Sequence, residues 1–278
     1  MAPMPELPEV ESVRRQLAPL LVRRRIERVD AVAQARFAGL ERAAGRTVTS
    51  LDRRGKYLLA PLDGGLELVM HLGMTGSFRV RGQDGWQPDA YVRASFLLGP
   101  GIAPQRGSEV LDFRDVRRFG RLTVVPAGDY RGITTLDRLG PEPLSDDFQP
   151  TVFARALART RMPVKPFLLT QRPVAGVGNI YADEALWRAR ISPAARAVGP
   201  RRARRLWTAI REVLAESIDR EGTTFRDYQM VNGASGRNAD FLVAYGQGGR
   251  PCPRCGAPLR KVVLGGRGTT YCPVCQRR

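Results

Sequence analysis

The stretch Met4-Pro5-Glu6-Leu7-Pro8-Glu9-Val10-Glu11 sets a proline directly after a methionine able to initiate a chain. With that methionine removed, Pro5 would carry a free secondary amine. An α-amino group titrates near ~8, which leaves a sizeable neutral, nucleophilic share at neutral pH. A secondary amine attacking a sugar C1′ gives an iminium directly and splits one hard step into two. Glu6 lies beside that amine as acid or base. The plain alternative is a helix start, since Pro8 at the first helical position with Glu9 and Glu11 in the first turn is ordinary N-terminal chemistry. While residues 1–4 stay attached, the Pro5 nitrogen is a tertiary amide whose lone pair is delocalised into the carbonyl. The chemistry therefore requires translation to start at Met4 and that Met to be lost.

Other chemistry-bearing groups are few. His71 is the one histidine, so acid–base work must rest mainly on carboxylates, amines or a metal. The four cysteines form Cys252-x2-Cys255 and, after sixteen residues, Cys272-x2-Cys275. Two close pairs on a chain without a secretion signal suit a closed tetrahedral zinc rather than disulfides. Gly265-Gly266-Arg267-Gly268 between them predicts a β-hairpin, with Arg260, Lys261, Arg267, Arg277 and Arg278 tilting the ribbon towards phosphates. Arg53-Arg54-Gly55-Lys56-Tyr57 sets a lysine before a strand, where it can protonate a leaving oxygen or stabilise an oxyanion, or simply be solvated. Met74 in His71-Leu72-Gly73-Met74-Thr75-Gly76 and Phe119 in Asp115-Val116-Arg117-Arg118-Phe119-Gly120 are apolar side chains on turns. They either join the core or fill the gap left by a base swung out of a duplex. Gly176-Val177-Gly178-Asn179 at a helix start offers backbone N–H groups that suit a phosphate.

These groups must be positioned by two kinds of element. Pro8–Leu20 reads as an amphipathic helix with Val10, Val13, Leu17 and Leu20 on its apolar stripe and Arg14 and Arg15 off it. Between Arg25 and Pro126, short apolar runs cut by Gly, Asp and Pro predict a β-sandwich or barrel. The strands are expected at Thr47–Leu51, Tyr57–Leu62, Leu66–Leu72, Ser77–Val80, Tyr91–Leu98, Val110–Phe113 and Arg121–Val125. A linker stiffened by Gly140-Pro141-Glu142-Pro143 follows. Helices are predicted over Thr151–Thr160, Asn179–Arg190 and Pro200–Arg220, the last with Leu206, Ile210, Val213, Leu214 and Ile218 inward and Gly222 as its stop. Thr223–Asp240, rich in Gly, Ser, Asn and Arg, reads as a long mobile loop. The chain has 278 residues, 45 Lys+Arg against 27 Asp+Glu, a net charge of +18 and a pI near 11.0. That size suggests two domains or more, and that surplus points to a polyanion, nucleic acid first. A basic ribosomal or membrane-surface protein would share the charge. No apolar run approaches the ~18 residues of a membrane span and no signal-peptide pattern opens the chain, so a soluble, cytoplasmic protein is expected.

Taken in order, Met4-Pro5-Glu6-Leu7-Pro8-Glu9-Val10-Glu11, Arg54-Gly55-Lys56-Tyr57, His71-Leu72-Gly73-Met74-Thr75-Gly76, Arg117-Arg118-Phe119-Gly120, Leu139-Gly140-Pro141-Glu142-Pro143-Leu144, Gly176-Val177-Gly178-Asn179-Ile180-Tyr181 and the four-cysteine ribbon closely resemble bacterial formamidopyrimidine-DNA glycosylase. The resemblance implies an α+β chain: an N-terminal β-sandwich with its leading helix over residues 1–129, a linker over 130–149, a helix–two-turn–helix domain over 150–243 and a zinc finger over 244–278. It implies a DNA glycosylase and AP lyase of base excision repair, removing oxidised purines, chiefly 8-oxoguanine and formamidopyrimidines, with strand cleavage by β,δ-elimination. The partner would be double-stranded DNA carrying oxidised bases or abasic sites, met by a monomer at the nucleoid. Pro5 matches the Schiff-base nucleophile, Glu6 the proton donor and acceptor at the sugar, Lys56 the lysine of β-elimination and Arg267 the finger arginine of δ-elimination. Met74, Arg117 and Phe119 match residues that replace the everted base and wedge the opposite strand. His71, Lys165 and Asn179 fall at DNA contacts, and Cys252, Cys255, Cys272 and Cys275 at the ligands of one structural zinc. The chain departs from the pattern in adding Met1-Ala2-Pro3 before the usual start. It also has Tyr91 where many members have a DNA-contacting histidine, and lacks an aromatic pair in the loop Met230–Asp240. The rivals are the endonuclease VIII-like relatives, which favour oxidised pyrimidines and tend to have Gly after the Glu, and a silent DNA-binding paralogue.

Overall fold

Helix α1 (Leu7–Leu21) forms because Val10, Val13, Leu17 and Leu21 recur at three- and four-residue spacing, and all are buried. It runs one residue past the expected end, and Leu21 rather than the half-buried Leu20 completes the stripe. The computed structural model describes residues 4–82, 89–100, 108–223, 231 and 236–277. Two units divide the chain: one holds Met1–Pro5, Glu9–Asp137 and Thr224–Gly236, the other Glu6–Pro8, Arg138–Thr223 and Arg237–Arg278.

The first unit carries β1 (Ile26–Ala31), β2 (Asp52–Arg54), β3 (Tyr57–Leu62), β4 (Leu66–His71), β5 (Gly76–Gly82), β6 (Val92–Leu98), β7 (Glu109–Asp115), β8 (Arg121–Pro126) and the short helix α2 (Thr134–Asp137). The strands pair antiparallel into two four-stranded sheets, in the orders β1-β6-β7-β5 and β2-β3-β4-β8. Leu58 and Met70 from one sheet and Phe78, Phe96 and Phe113 from the other share one core with Val10, Val13, Leu17 and Leu21, which makes the expected sandwich. Phe113 anchors it, with ring centroids 5.1 Å from Phe78 and 6.0 Å from Phe37. The strand expected at Thr47–Leu51 does not form. Thr47 and Val48 make only isolated bridges, to Arg25 and Leu62, so no ladder can extend. Two strands carry too little pattern to be read beforehand: β1, which buries only Ile26, and β2, a three-residue piece.

In the second unit α3 (Pro150–Arg159), α4 (Val164–Leu169), α5 (Asn179–Arg188) and α6 (Pro200–Asp219) precede the hairpin β9 (Arg260–Leu264) and β10 (Arg267–Tyr271). The apolar face of α6 is buried as its spacing predicts, through Leu206, Ile210, Val213, Leu214 and Ile218. Phe148 stacks against Phe153 and Trp207 with centroids 5.1 and 5.9 Å away. Helix α4 is unexpected from sequence because Pro166 interrupts it; Pro166 lies in its first turn, where a missing N–H costs nothing. Of the loop Thr223–Asp240, residues 224–230 and 232–235 lie outside the described residues. No helix among the described residues is long and apolar enough to cross a membrane.

Candidate functional site

Glu6 is 2 % exposed, and a buried carboxylate needs donors. It has them: the N–H groups of Gly178 and Tyr181 donate to Oε2 at 2.7 and 3.3 Å, and that of Ile180 to Oε1 at 2.8 Å. These are the orphan donors of the first turn of α5, where the helix dipole also favours an anion. The expectation that this Gly-x-Gly turn presents its N–H groups to a phosphate is thus corrected, because the chain's own carboxylate occupies them. Gly176 makes the approach possible. Its φ is +80°, and a Cβ there would lie 2.5 Å from Leu7. Its carbonyl accepts the Leu7 N–H at 3.2 Å. Asn179 is half-buried, and its Oδ1 has no hydrogen-bond partner among the described residues. Its side chain bonds to Tyr245, whose hydroxyl is pushed above its ordinary pKa by burial and then by the charge of Glu6. Tyr245 carries no motif, so sequence reasoning misses it. Pro5, the residue before Glu6, is buried.

In the first unit, Gly55 and Lys56 form the two-residue turn between β2 and β3, with φ +58° at Gly55. Glycine is the residue a II′ turn takes at its first central position. Lys56 is only 4 % exposed. His71 faces Tyr57 across the β3–β4 ladder, ring centroids 4.6 Å apart, and its Nδ1 accepts the Gly73 N–H at 3.1 Å. Burial, then the charges of Lys56, Arg121 and Arg36, hold the imidazole down at about 4, so it is neutral at pH 7.

The two apolar tips come together. A Cβ at Gly73, whose φ is +66°, would fall 2.5 Å from the backbone of Phe119 and Gly120, so only glycine permits this close approach. Asp115, fully buried, pins both turns: it accepts the Thr75 hydroxyl at 2.5 Å and the Gly120 N–H at 2.7 Å. Thr75 Oγ1 in turn accepts the Arg117 N–H at 3.0 Å. Arg118 adopts a φ of +57°, a strained value for a residue with a Cβ. The result is a braced tip with Phe119 45 % exposed and the Arg117 guanidinium 5.0 Å from its ring centre. Met74 stays half-buried beside it. Asp115 and Thr75 escape sequence reasoning, although a buried Asp between two Gly-containing turns is the available signal. Tyr91 is exposed and lies under Arg114, 4.7 Å from its ring centre.

Helix α5 also holds the finger. Lys165 is fully buried and donates to Asp183 Oδ1 at 2.6 Å and to the Gly268 carbonyl at 3.1 Å, while Thr270 N–H donates to Asp183 Oδ2 at 2.9 Å. Burial pushes both groups towards neutrality, Asp183 up to about 7 and Lys165 down, and their pairing works against it. Lys165, expected at a DNA contact, has its ammonium engaged inside the protein. What the pair positions is the start of β10, where Arg267 stands exposed beside the Gly265–Gly266 turn. Glu184 accepts the N–H groups of Val243, Ala244 and Tyr245 and so fixes the segment entering the finger.

The Sγ atoms of Cys252, Cys255, Cys272 and Cys275 lie within 4.8 Å of one another. A tetrahedral zinc with Zn–S bonds of ~2.3 Å requires sulfur separations of ~3.8 Å, so the cluster fits one structural zinc. The donor set asks for a cation. Despite burial, Cys252 is pulled down to about 6 by N–H donors that include the Arg254 backbone and the Trp187 indole. Burial and the neighbouring thiols push Cys275 up to about 12, because four thiolates cannot share this space without a positive charge among them. The Trp187 Nε1 is buried with no oxygen or nitrogen acceptor among the described residues, and Trp187 packs on the cluster of Cys252, Leu259 and Cys272. Arg254 covers that ring at 3.7 Å and donates to the Trp187 and Arg188 carbonyls.

Three family models cover most of the chain: the formamidopyrimidine-DNA glycosylase N-terminal domain over residues 4–122, the H2TH domain of the same enzyme over 139–229, and the zinc finger found in FPG and IleRS over 249–278. The chain is 47% identical to the formamidopyrimidine-DNA glycosylase of Deinococcus radiodurans, over 98% of this chain and 97% of that one. It is 48% identical to the Thermus thermophilus protein of that name, over 98% of both. The crystal structure of the Thermus thermophilus protein superposes with a TM-score of 0.88 at 47% identity, over 98% of each chain. A Lactococcus lactis Fpg solved with abasic-site DNA gives 0.87 at 32% identity, over 98% of this chain and 100% of that one. The chain belongs to the formamidopyrimidine-DNA glycosylase family.

Proposed function

We propose that the chain is a bifunctional DNA glycosylase and AP lyase of base excision repair acting on oxidised purines, with Pro5 as nucleophile. The observation that carries the reading is Glu6, a buried carboxylate locked on the N-terminus of α5 and covalently next to Pro5. The Pro5 nitrogen attacks C1′, the C1′–N bond to the base breaks, and the base leaves with a proton. Opening of the C1′–O4′ bond, with a proton delivered to O4′, turns this adduct into an iminium that acidifies the C2′ protons. Loss of one expels the 3′ phosphate, and a second elimination, with loss of the C4′ proton, expels the 5′ phosphate. Glu6 exchanges protons at the sugar, Lys56 serves the first elimination and Arg267 the second. Met74, Arg117 and Phe119 occupy the space of the everted base, while His71, Tyr91 and Asn179 line the DNA path. Lys165 acts through the finger it holds. Residues 1–129, 150–243 and 244–278 serve as sandwich, helix–two-turn–helix and zinc-finger parts, joined through 130–149. The enzyme works as a monomer on chromosomal DNA, hence at the nucleoid.

Borohydride trapping on an 8-oxoguanine duplex tests this. Protein that begins at Pro5 should cross-link through Pro5, and protein retaining residues 1–4 should not, because its Pro5 nitrogen is an amide. Trapping of the longer form at another amine would remove Pro5 from the mechanism. Preferential excision of thymine glycol would move the substrate to oxidised pyrimidines.

A further inference from the structure

A second basic surface lies at the other end of α5 from Glu6. There a cavity of about 740 Å³ is lined by Arg188, Arg201, Arg202, Arg204, Arg205 and Glu212, together with Ala and Thr side chains. Arg188 is neutralised by Glu216 at 2.5 Å and Glu212 at 3.5 Å, and Arg202 donates to the Arg277 carbonyl at 3.0 Å. Arg201, Arg204 and Arg205 are exposed and have no acidic partner among the described residues. Their placement is unfavourable for the free protein. They lie in the first two turns of α6, which has no acid in its first turn, so cations face the positive end of the helix dipole. Arg201 and Arg205 are also a like-charged i,i+4 pair, which destabilises a helix. Departures from local rules without internal compensation mark places where something outside the chain compensates.

We propose that this groove binds the phosphate backbone of a second nucleic-acid segment, apart from the duplex held at Glu6. Guanidinium groups match phosphate oxygens bidentately, and the dipole of α6 adds to their pull. A polyanion fits better than a small anion. The three arginines spread over one helical turn, about 6 Å of rise, whereas duplex DNA carries one charge per ~1.7 Å of its axis. The position also separates the surfaces, since α5 runs ~15 Å from the Glu6 end at Asn179 to Arg188 at the groove.

The experiment uses the full chain first saturated with a short duplex carrying an abasic-site analogue, then titrated with a labelled undamaged duplex. The parent should take up the second duplex. The R201Q/R204Q/R205Q variant should bind it at least tenfold more weakly, and its slope of log K against log salt should flatten by about 0.9 for each phosphate no longer neutralised. Excision from the short lesion duplex should be unchanged. The same three positions changed to Lys should keep most of the slope, which separates an effect of charge from an effect on folding. If the saturated parent takes no second duplex, or the Gln variant binds it as the parent does, the proposal is wrong. Uptake of an acidic peptide but no nucleic acid would overturn it equally.

Discussion

Glu6 draws its hydrogen bonds from residues 172 to 175 positions further along the chain. Such a carboxylate has two separable tasks, holding the N-terminal segment and moving protons. Glu6→Gln keeps the size but turns an amide NH2 towards one of the donating N–H groups, a mismatch worth about 1–3 kcal/mol. It also ends proton exchange, so single-turnover excision should fall by about 10²-fold or more while DNA affinity stays close to the parent's. Excision within about threefold of the parent would leave Glu6 a purely structural clasp. His71 makes a second residue-level prediction. Its folded value, about 4, lies below the ordinary ~6.5. A depressed histidine contributes stability that is complete above the unfolded value and lost as pH falls from ~6.5 through about 4, on the order of 3 kcal/mol at most. Because the chain has one histidine, its ring resonance is unambiguous in a proton NMR titration. It should stay in the neutral position to about pH 5, and a midpoint near ~6.5 would show that the ring is not held as described.

At the scale of elements, the braced turns ask for a paired test. Phe119→Ala removes the wedge and leaves the brace, so melting should hardly change while the preference for lesion over undamaged duplex drops about tenfold or more. Asp115→Asn keeps Phe119 but sets an amide donor against the Gly120 N–H or the Thr75 hydroxyl, costing about 1.5–3 kcal/mol and loosening both turns. If Phe119→Ala lowers melting as much as Asp115→Asn does, Phe119 is core and not wedge. Elements such as these are legible where periodicity is local. The stripe of α1, the inward face of α6 and β3, β4 and β8 follow from spacing alone. Where the chain meets distant partners, spacing says nothing. Thr47–Leu51 has strand-like composition, yet its bridges go to two different places. The first turn of α5 looks like a phosphate cradle until Glu6 arrives to fill it. Lys165 and Asp183, eighteen residues apart, reveal their pairing only when α4 lies beside α5. Tyr245, Asp115 and Thr75 matter through such non-local bonds and so leave no motif.

At the scale of the molecule, the finger has almost no apolar core of its own: among the described residues, its buried cluster consists of Leu259 with Cys252 and Cys272. Its order must come from the metal and from α5. Removing zinc should therefore free β9 and β10, and with them the Gly268 carbonyl and Thr270 N–H that complete the Lys165–Asp183 pair. A buried ion pair stripped of its surrounding hydrogen bonds cannot repay its desolvation. Elemental analysis should find about one zinc per chain, as a closed four-thiolate site requires. Because the chain forms two units, calorimetry should resolve more than a single two-state transition. A strong chelator should lower the transition of the unit containing α5 and leave that of the sandwich in place. Lys165→Met, which leaves Asp183 buried without its cation, should lower the same transition by about 3–5 kcal/mol with zinc still bound. Chelation should add less in that variant than in the parent, since the pair it would disrupt is already broken. Additive effects, or a chelator that shifts the sandwich instead, would show that the finger is held by zinc alone and that α5 does not carry its order inward.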